Sequence, residues 1–286
     1  MILSAFAFSV MSLFVKAVGQ TNIPVLEIVA ARSVVSLLIS YVTLKRQGIA
    51  PLGNRKLLLF ARGLVGFLAL NCVFYAITHL PLAQATVLQY LHPMFTAALA
   101  VFFLSERPTK GTLICIALSF VGLLLVVQPG FIFSLAPSGI KQFAISVAVA
   151  GAFGSAIAYI LVRKLSTTEH PLVIVMYFPL ISLPISVILL WNDFVMPQGI
   201  TWLYLLAIGL TTQVGQVALT KAMQTETASR ATSFAYLQVV FAMILGVVFY
   251  YEIPSFSTLI GAGLIVGGAY INATWKKGNN VKKPSS

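Results

Sequence analysis

A helix is the open structure that satisfies every backbone hydrogen bond internally, so an apolar run of about 20 residues can cross a bilayer in that form. The chain strings together ten such runs, at about 2–18, 24–44, 57–78, 84–104, 109–128, 142–162, 171–191, 200–220, 229–250 and 256–275. They occupy nearly all of its 286 residues and leave little for a soluble domain. Only 8% of the residues are charged, against about a quarter in soluble domains. The expected fold is therefore an all-α polytopic membrane protein. Its opening, MILSAFAFSVMSLFVKAVG, lacks a basic start and a small-residue cleavage site, and reads as the first span rather than a leader.

The net charge of +12 would point to nucleic acid in a soluble protein, but its distribution points to membrane topology instead. With a cytoplasmic N-terminus, the inner loops and tail collect Lys45, Arg46, Arg55, Lys56, Arg107, Lys110, Arg163, Lys164, Lys221, Arg230, Lys276, Lys277, Lys282 and Lys283. That is fourteen of eighteen basic residues, with Lys16 and Lys141 left at outer span edges and Arg32 and Arg62 inside spans. Both termini are thus expected in the cytoplasm, no nucleic-acid partner is expected, and the cytoplasmic membrane of a bacterium is the expected location. Cys72 and Cys115 fall inside spans without motif spacing and read as packing residues.

The runs repeat. At a constant offset of 146, residues 63–122 share identities with 209–268, among them Gly63/Gly209, Tyr90/Tyr236, Glu106/Glu252, Pro108/Pro254 and Gly122/Gly268. At an offset of 147, Lys16 pairs with Arg163 and Pro24 with Pro171. Two five-helix halves follow: 1–128 and 142–275, joined by a linker at 129–141 and followed by a basic tail at 276–286. Because each half has an odd number of spans, the second must sit upside down relative to the first. The charges agree: Arg107 and Lys110 align with Ile253 and Phe256, whereas Tyr75 and Gln84 align with Lys221 and Arg230. Inverted halves recur among secondary transporters, which bind cargo near the midplane where the halves meet. No G-x-x-x-x-G-K-[ST] loop is present, so nucleotide-driven pumping is not expected.

The segments FLALNCVFYAITHLPLAQATVLQYLHPMFTAALAVFFLSERPT and ASRATSFAYLQVVFAMILGVVFYYEIPS resemble the paired signature of the drug/metabolite transporter superfamily, in particular its EamA-domain members. The resemblance runs from the first span to about residue 275 and implies ten helices, inverted repeats, a central cavity and a small-molecule cargo. It leaves the cargo open among amino acids, purines, sugars, vitamins, metallophores and S-adenosylmethionine. The run ARGLVGFLAL at 61–70 is similar to a subset that includes S-adenosylmethionine carriers.

Mid-span polar residues are the candidates for cargo contact, because a charge at the centre of a helix in lipid costs about 2.5–3.5 kcal/mol and turns toward protein or water. Arg32 lies about 12 Å into the second span, and His92 at similar depth in the fourth. Thr86, Gln89, His92 and Thr96 form one stripe at helical spacing, and Pro93 frees a backbone carbonyl beside it. Tyr236 and Gln238 stand at the corresponding places in the second half. Asn71 and Tyr75 mark the third span, Tyr159 with Ser155 the sixth, and Gln213 and Gln216 the eighth. The alternative for each is hydrogen-bonded packing between helices. Arg62 lies about 9 Å from the inner edge and is expected to snorkel outward.

Glu106 and Glu252 each precede a proline opening the next helix, and read as caps of that helix or as gates. Glu27, at the outer mouth of the second span, has three readings: counter-charge to Arg32, proton carrier, or surface residue. Gly263 and Gly267 form a GxxxG pattern expected to seat a neighbouring helix.

These features favour a secondary transporter that moves a small polar or amphipathic metabolite by alternating access, in the export direction. Its expected partners are that metabolite, the lipid bilayer and protons as coupling ion. The alternative is an uptake carrier or exchanger for a nucleoside-, vitamin- or amino-acid-like metabolite such as S-adenosylmethionine. A channel would need rings of charge or carbonyls, and an enzyme a cluster of acids, bases or metal ligands. With six acids and three histidines scattered along the chain, neither arrangement forms, and no cofactor or metal is expected. A sensor that keeps the fold without flux is the remaining reading.

Overall fold

The structure, a computed structural model, describes residues 1–275 except 20, 22, 81, 128–138 and 252. Most of the expected linker and all of the expected tail fall outside the described residues, as does Glu252. The described elements are helices: α1 Ile2–Val18, α2 Val25–Arg46, α3 Lys56–His79, α4 Leu82–Gln89, α5 His92–Leu104, α6 Lys110–Val127, α7 Gly139–Leu165, α8 Pro171–Leu189, α9 Thr201–Thr225, α10 Ala228–Ser233, α11 Leu237–Tyr250 and α12 Phe256–Thr274. Among the described residues, nine helical segments are long and apolar enough to span a membrane, and Ile2–Val18 is a shorter apolar helix. Together they make the ten-helix bundle. Phe102, Ile188 and Phe249 stand 80%, 72% and 60% exposed on the outer surface of their helices, where lipid rather than water would cover them.

Two spans are discontinuous. The fourth breaks at Tyr90 and Leu91, since Pro93 at the second position of α5 has no amide to continue the ladder, and Met94 N turns to the Leu91 carbonyl instead. The ninth changes at the corresponding place, where a 3-10 turn at Phe234–Tyr236 separates α10 from α11 without a proline.

Exchanging the two halves preserves the main helix pairs, as an approximate two-fold axis in the membrane plane requires, while contacts such as α5–α10 and α8–α9 have no equal counterpart. α1 lies on α9 as α7 lies on α3, α2 on α9 as α8 on α3, and α5 on α7 as α11 on α1. The pairs α2–α8 and α6–α12 map onto themselves. Glycines set these contacts at matched positions. A Cβ on Gly63 would fall 2.5 Å from Ile181 Cδ1, and one on Gly209 would fall 2.5 Å from Val35 Cβ. Gly122 and Gly261 face each other's carbonyls across α6 and α12. The close seam of α12 is thus formed by Gly261 and Gly268; Gly263 and Gly267, which the GxxxG pattern put there, face open space. Among the described residues, the two non-glycine residues with left-handed backbone, Ser105 and Tyr251 at φ 53° and 55°, also correspond across the repeat and end α5 and α11.

One end of the bundle carries the basic loops and is tied together by polar contacts. Glu169 Oε1 accepts from the amides of Asn54 and Arg55 at 2.8 and 2.6 Å, joining the α2–α3 loop to the end of α7. Arg163 Nη1 donates to the Met223 carbonyl at 2.5 Å, and Arg230 Nη2 to the Asn272 carbonyl at 2.9 Å.

Candidate functional site

A cavity of about 200 Å3 lies between the halves, reaching from Val162 and Leu219 near the basic end to Val73 and Gln89 in the other half of the bundle. Its polar wall is built by seven spans, α1 contributing Ser4. Arg32 comes from α2, Arg62 from α3, Gln89 and His92 from either side of the break in the fourth span, Ser155 and Tyr159 from α7, Gln216 from α9, and Gln238 from α11. The broken span matters here: backbone freed from helical geometry turns toward a cavity instead of lipid.

The two arginines share one aromatic ring. Phe178 of α8 lies 5.0 Å from Arg32 Cζ and 5.7 Å from Arg62 Cζ, so its face supports both guanidinium groups. Arg62 Nη2 also donates to Gln216 Oε1 at 3.3 Å. Gly66, one turn beyond Arg62, leaves room for this arrangement, since a Cβ there would lie 3.3 Å from Phe178 and 3.5 Å from Arg62 Nη1. Among the described residues, three buried donors, Arg32 Nε, Arg62 Nε and Arg62 Nη1, have no hydrogen-bond partner. Among the described residues no carboxylate lines the cavity. Two positive charges therefore face the same space with directed N–H groups unfilled, which is the electrostatic complement of an anion.

His92 is 6% exposed and closes another side. Its ring centroid lies 5.1 Å from that of Tyr159 and 6.0 Å from that of Tyr90, and its Nδ1 has no hydrogen-bond partner among the described residues. Behind it, Tyr90 stacks on Tyr236.

Of the residues singled out from the sequence, Arg32, Gln89, His92, Ser155, Tyr159, Gln216 and Gln238 meet in this cavity. Others lie outside it, Thr96 among them, whose Oγ1 donates to the His92 carbonyl at 2.7 Å. Tyr236 is fully buried behind Tyr90, and Gln213 Nε2 donates to Ser40 Oγ at 2.8 Å between α9 and α2. Asn71 Nδ2 bonds the Phe67 carbonyl of its own helix at 2.8 Å, and Tyr75 stacks on His79 at 3.9 Å. Arg62 departs from its expected outward course: at 5% exposure it turns inward to Gln216 and Phe178. Depth alone could not reveal this direction, although Gly66 at i+4 marks the same helix face as the roomy one.

Glu106 does not cap the helix that follows it. Its Oε1 pairs with Arg163 Nε at 2.7 Å and its Oε2 accepts from Ala228 N, the first residue of α10, at 2.8 Å. Glu27 is 3% exposed and accepts from Val195 N at 3.1 Å, and among the described residues no ion pair joins it to Arg32.

The EamA-like transporter family model matches residues 1–128 and 142–274. The pseudopaline exporter CntI of Pseudomonas aeruginosa is 35% identical over 278 residues, covering 97% of this chain and 95% of that protein. Human solute carrier family 35 member G1 is 31% identical over 288 residues, covering 96% of this chain and 78% of the carrier. An S-adenosylmethionine uptake transporter of Rickettsia felis is 26% identical over 207 residues, covering 72% and 67%. A solved crystal structure superposes with a TM-score of 0.78 at 18% identity, covering 95% of this chain and 96% of its own, a likeness of fold alone.

Proposed function

The chain belongs to the EamA-like transporter family, and from that premise we propose that it exports a small polar or amphipathic metabolite bearing a carboxylate or comparable anionic group. The metabolite is carried by alternating access to the cavity between the halves. The observation that carries this reading is the pair of arginines over Phe178, with three buried N–H donors unfilled and no acid in the wall. A carboxylate entering there gains directed, charge-assisted hydrogen bonds and relieves the repulsion between the two guanidinium groups. Gln89, Gln216, Gln238 and Tyr159 supply neutral polar contacts for the rest of the molecule, and His92 is the residue through which a proton would couple to the movement.

The relative named as an exporter is 35% identical over nearly the whole chain, which favours export. The relative named for S-adenosylmethionine uptake, at 26%, supports the alternative of uptake or exchange. The positive-inside distribution of lysine and arginine supports a bacterial cytoplasmic membrane location with both termini in the cytoplasm.

The test is a thermal-shift screen of the purified protein against metabolites, followed by flux of the hits in proteoliposomes. Carboxylates are expected among the hits, with transport lost in Arg32→Ala and Arg62→Ala and its pH profile altered in His92→Gln. Transport that survives both arginine changes overturns the site assignment, and single-channel currents overturn the carrier mechanism.

A further inference from the structure

A second cavity, of about 370 Å3, lies on the flank of the bundle, away from the arginines. α2 and α8 form its trough with Ala30, Val34, Leu183 and Val187, and Trp191 and Trp202 stand at its rim. Val34, Val187 and Trp202 are 42%, 46% and 52% exposed, so the trough opens sideways into the lipid zone. Tryptophans at such a rim match the level of lipid head groups.

One polar side chain sits in this apolar wall. Glu27 is 3% exposed; its Oε2 holds Val195 N, while its Oε1 is buried without a hydrogen-bond partner among the described residues. Among the described residues no basic side chain pairs with it. Its place in the helix sets its depth. Glu27 is the third residue of α2, at the membrane surface, and Val34 lies about 10 Å deeper along the same helix. Leu183 likewise lies about one turn deeper than Val187 on α8, which runs the other way. The crevice is therefore graded, with an acceptor at head-group level and apolar surface running down from it.

We propose that this crevice binds a membrane lipid with a primary-amine head group, of the phosphatidylethanolamine type, its ammonium on Glu27 Oε1 and one acyl chain along α2 and α8. A buried carboxylate oxygen without a partner is costly, and a compact cation with N–H donors is what satisfies it. Phosphatidylcholine carries the same positive charge but no N–H, and anionic lipids are repelled. The sideways opening favours a lipid over a soluble amine.

The test uses the full chain in phosphatidylcholine nanodiscs doped at equal mole fraction with chain-brominated phosphatidylethanolamine, phosphatidylcholine or phosphatidylglycerol, and reads quenching of tryptophan fluorescence. Trp191 and Trp202 report on the crevice, whereas Trp275, beyond α12, lies outside it. Brominated phosphatidylethanolamine is expected to quench more strongly than the other two. That excess disappears in Glu27→Gln, which keeps an acceptor for Val195, in Ala30→Phe, which fills the trough, and in the Trp191→Phe/Trp202→Phe double variant. Dodecylamine is expected to relieve the quenching and dodecanol not. Equal quenching by the three lipids, an excess that survives Glu27→Gln, or equal relief by both competitors overturns the proposal.

Discussion

Tyr236 donates its hydroxyl to the Tyr90 carbonyl at 2.9 Å and stacks on the Tyr90 ring at 5.7 Å, so two residues that correspond across the repeat meet where both broken spans change direction. The break explains the bond. Met94 N, which would bond the Tyr90 carbonyl in an unbroken helix, bonds Leu91 instead, and Tyr236 fills the vacancy. The contact is asymmetric, because Tyr90 makes no hydroxyl hydrogen bond of its own among the described residues.

Tyr236→Phe leaves a buried carbonyl unsatisfied and is expected to destabilise the protein by about 1–3 kcal/mol. Tyr90→Phe removes a hydroxyl with no intramolecular partner and is expected to cost less. Denaturant unfolding of the two variants in the same detergent checks the order; equal losses would mean that ring stacking alone holds the junction.

Gly63→Ala and Gly209→Ala each place a methyl 2.5 Å from a neighbouring helix, and overpacking of this kind costs about 1–3 kcal/mol. Gly63 is expected to be the worse of the two, because its neighbours include the Tyr177 carbonyl at 2.7 Å, and backbone yields less than a side chain. Gly267→Ala, with open space around it, is expected to be neutral or to stabilise α12 by up to about 1 kcal/mol through helix propensity. Melting temperatures of the three variants test this ranking, and a loss at Gly267 equal to that at Gly63 contradicts the seam described above.

The ten spans were legible because apolar length is a physical requirement for crossing lipid. Their ends were not, since a helix can continue into water: α9 runs to Thr225, past polar Lys221, and α7 to Leu165. The break at Tyr90 could be read from Pro93, but its counterpart has no proline and depends on the packing of Tyr236. In the site, helical spacing identified Gln89 and His92 as neighbours on one face, whereas Phe178 gave no sign because an apolar ring in an apolar span is ordinary. Arg62 was misread for a related reason. Its acceptor, Gln216, is distant in sequence, and the shared platform exists only once α3, α8 and α9 converge. The GxxxG pattern on α12 failed because Gly261 and Gly268 share a helix face that Gly263 and Gly267 do not occupy.

The shared ring makes the arginines interdependent. Phe178→Leu removes a face worth about 0.5–2 kcal/mol to each guanidinium. It is expected to weaken binding of a carboxylate hit from the thermal-shift screen by about 3–30-fold without removing any charge. Arg62→Lys keeps the charge but cannot reproduce the planar fork that reaches Gln216 while presenting Nε and Nη1 to the cavity, and is expected to weaken binding by about 10-fold or more. Isothermal titration of both variants measures this, and undiminished affinity in Phe178→Leu removes the platform from the argument.

Glu106 joins three parts of the basic end: its own loop between α5 and α6, Arg163 on α7, and the first amide of α10. Arg163 in turn reaches the Met223 carbonyl near the end of α9. If access alternates by one half tilting against the other, this end can open only after the Glu106 links part, because they tie the first half to the second. Glu106→Ala removes the acceptor for both groups and is expected to raise exposure of the cavity at that end. Glu106→Gln keeps a neutral acceptor and is expected to fall between. A cysteine at Leu219, which lines the cavity near the basic loops, reports this in a background lacking Cys72 and Cys115. Its labelling by a membrane-impermeant maleimide should be faster in Glu106→Ala than in the parent, with flux of the identified metabolite reduced. Identical labelling rates in parent, Gln and Ala variants would show that the link stabilises the fold without governing access.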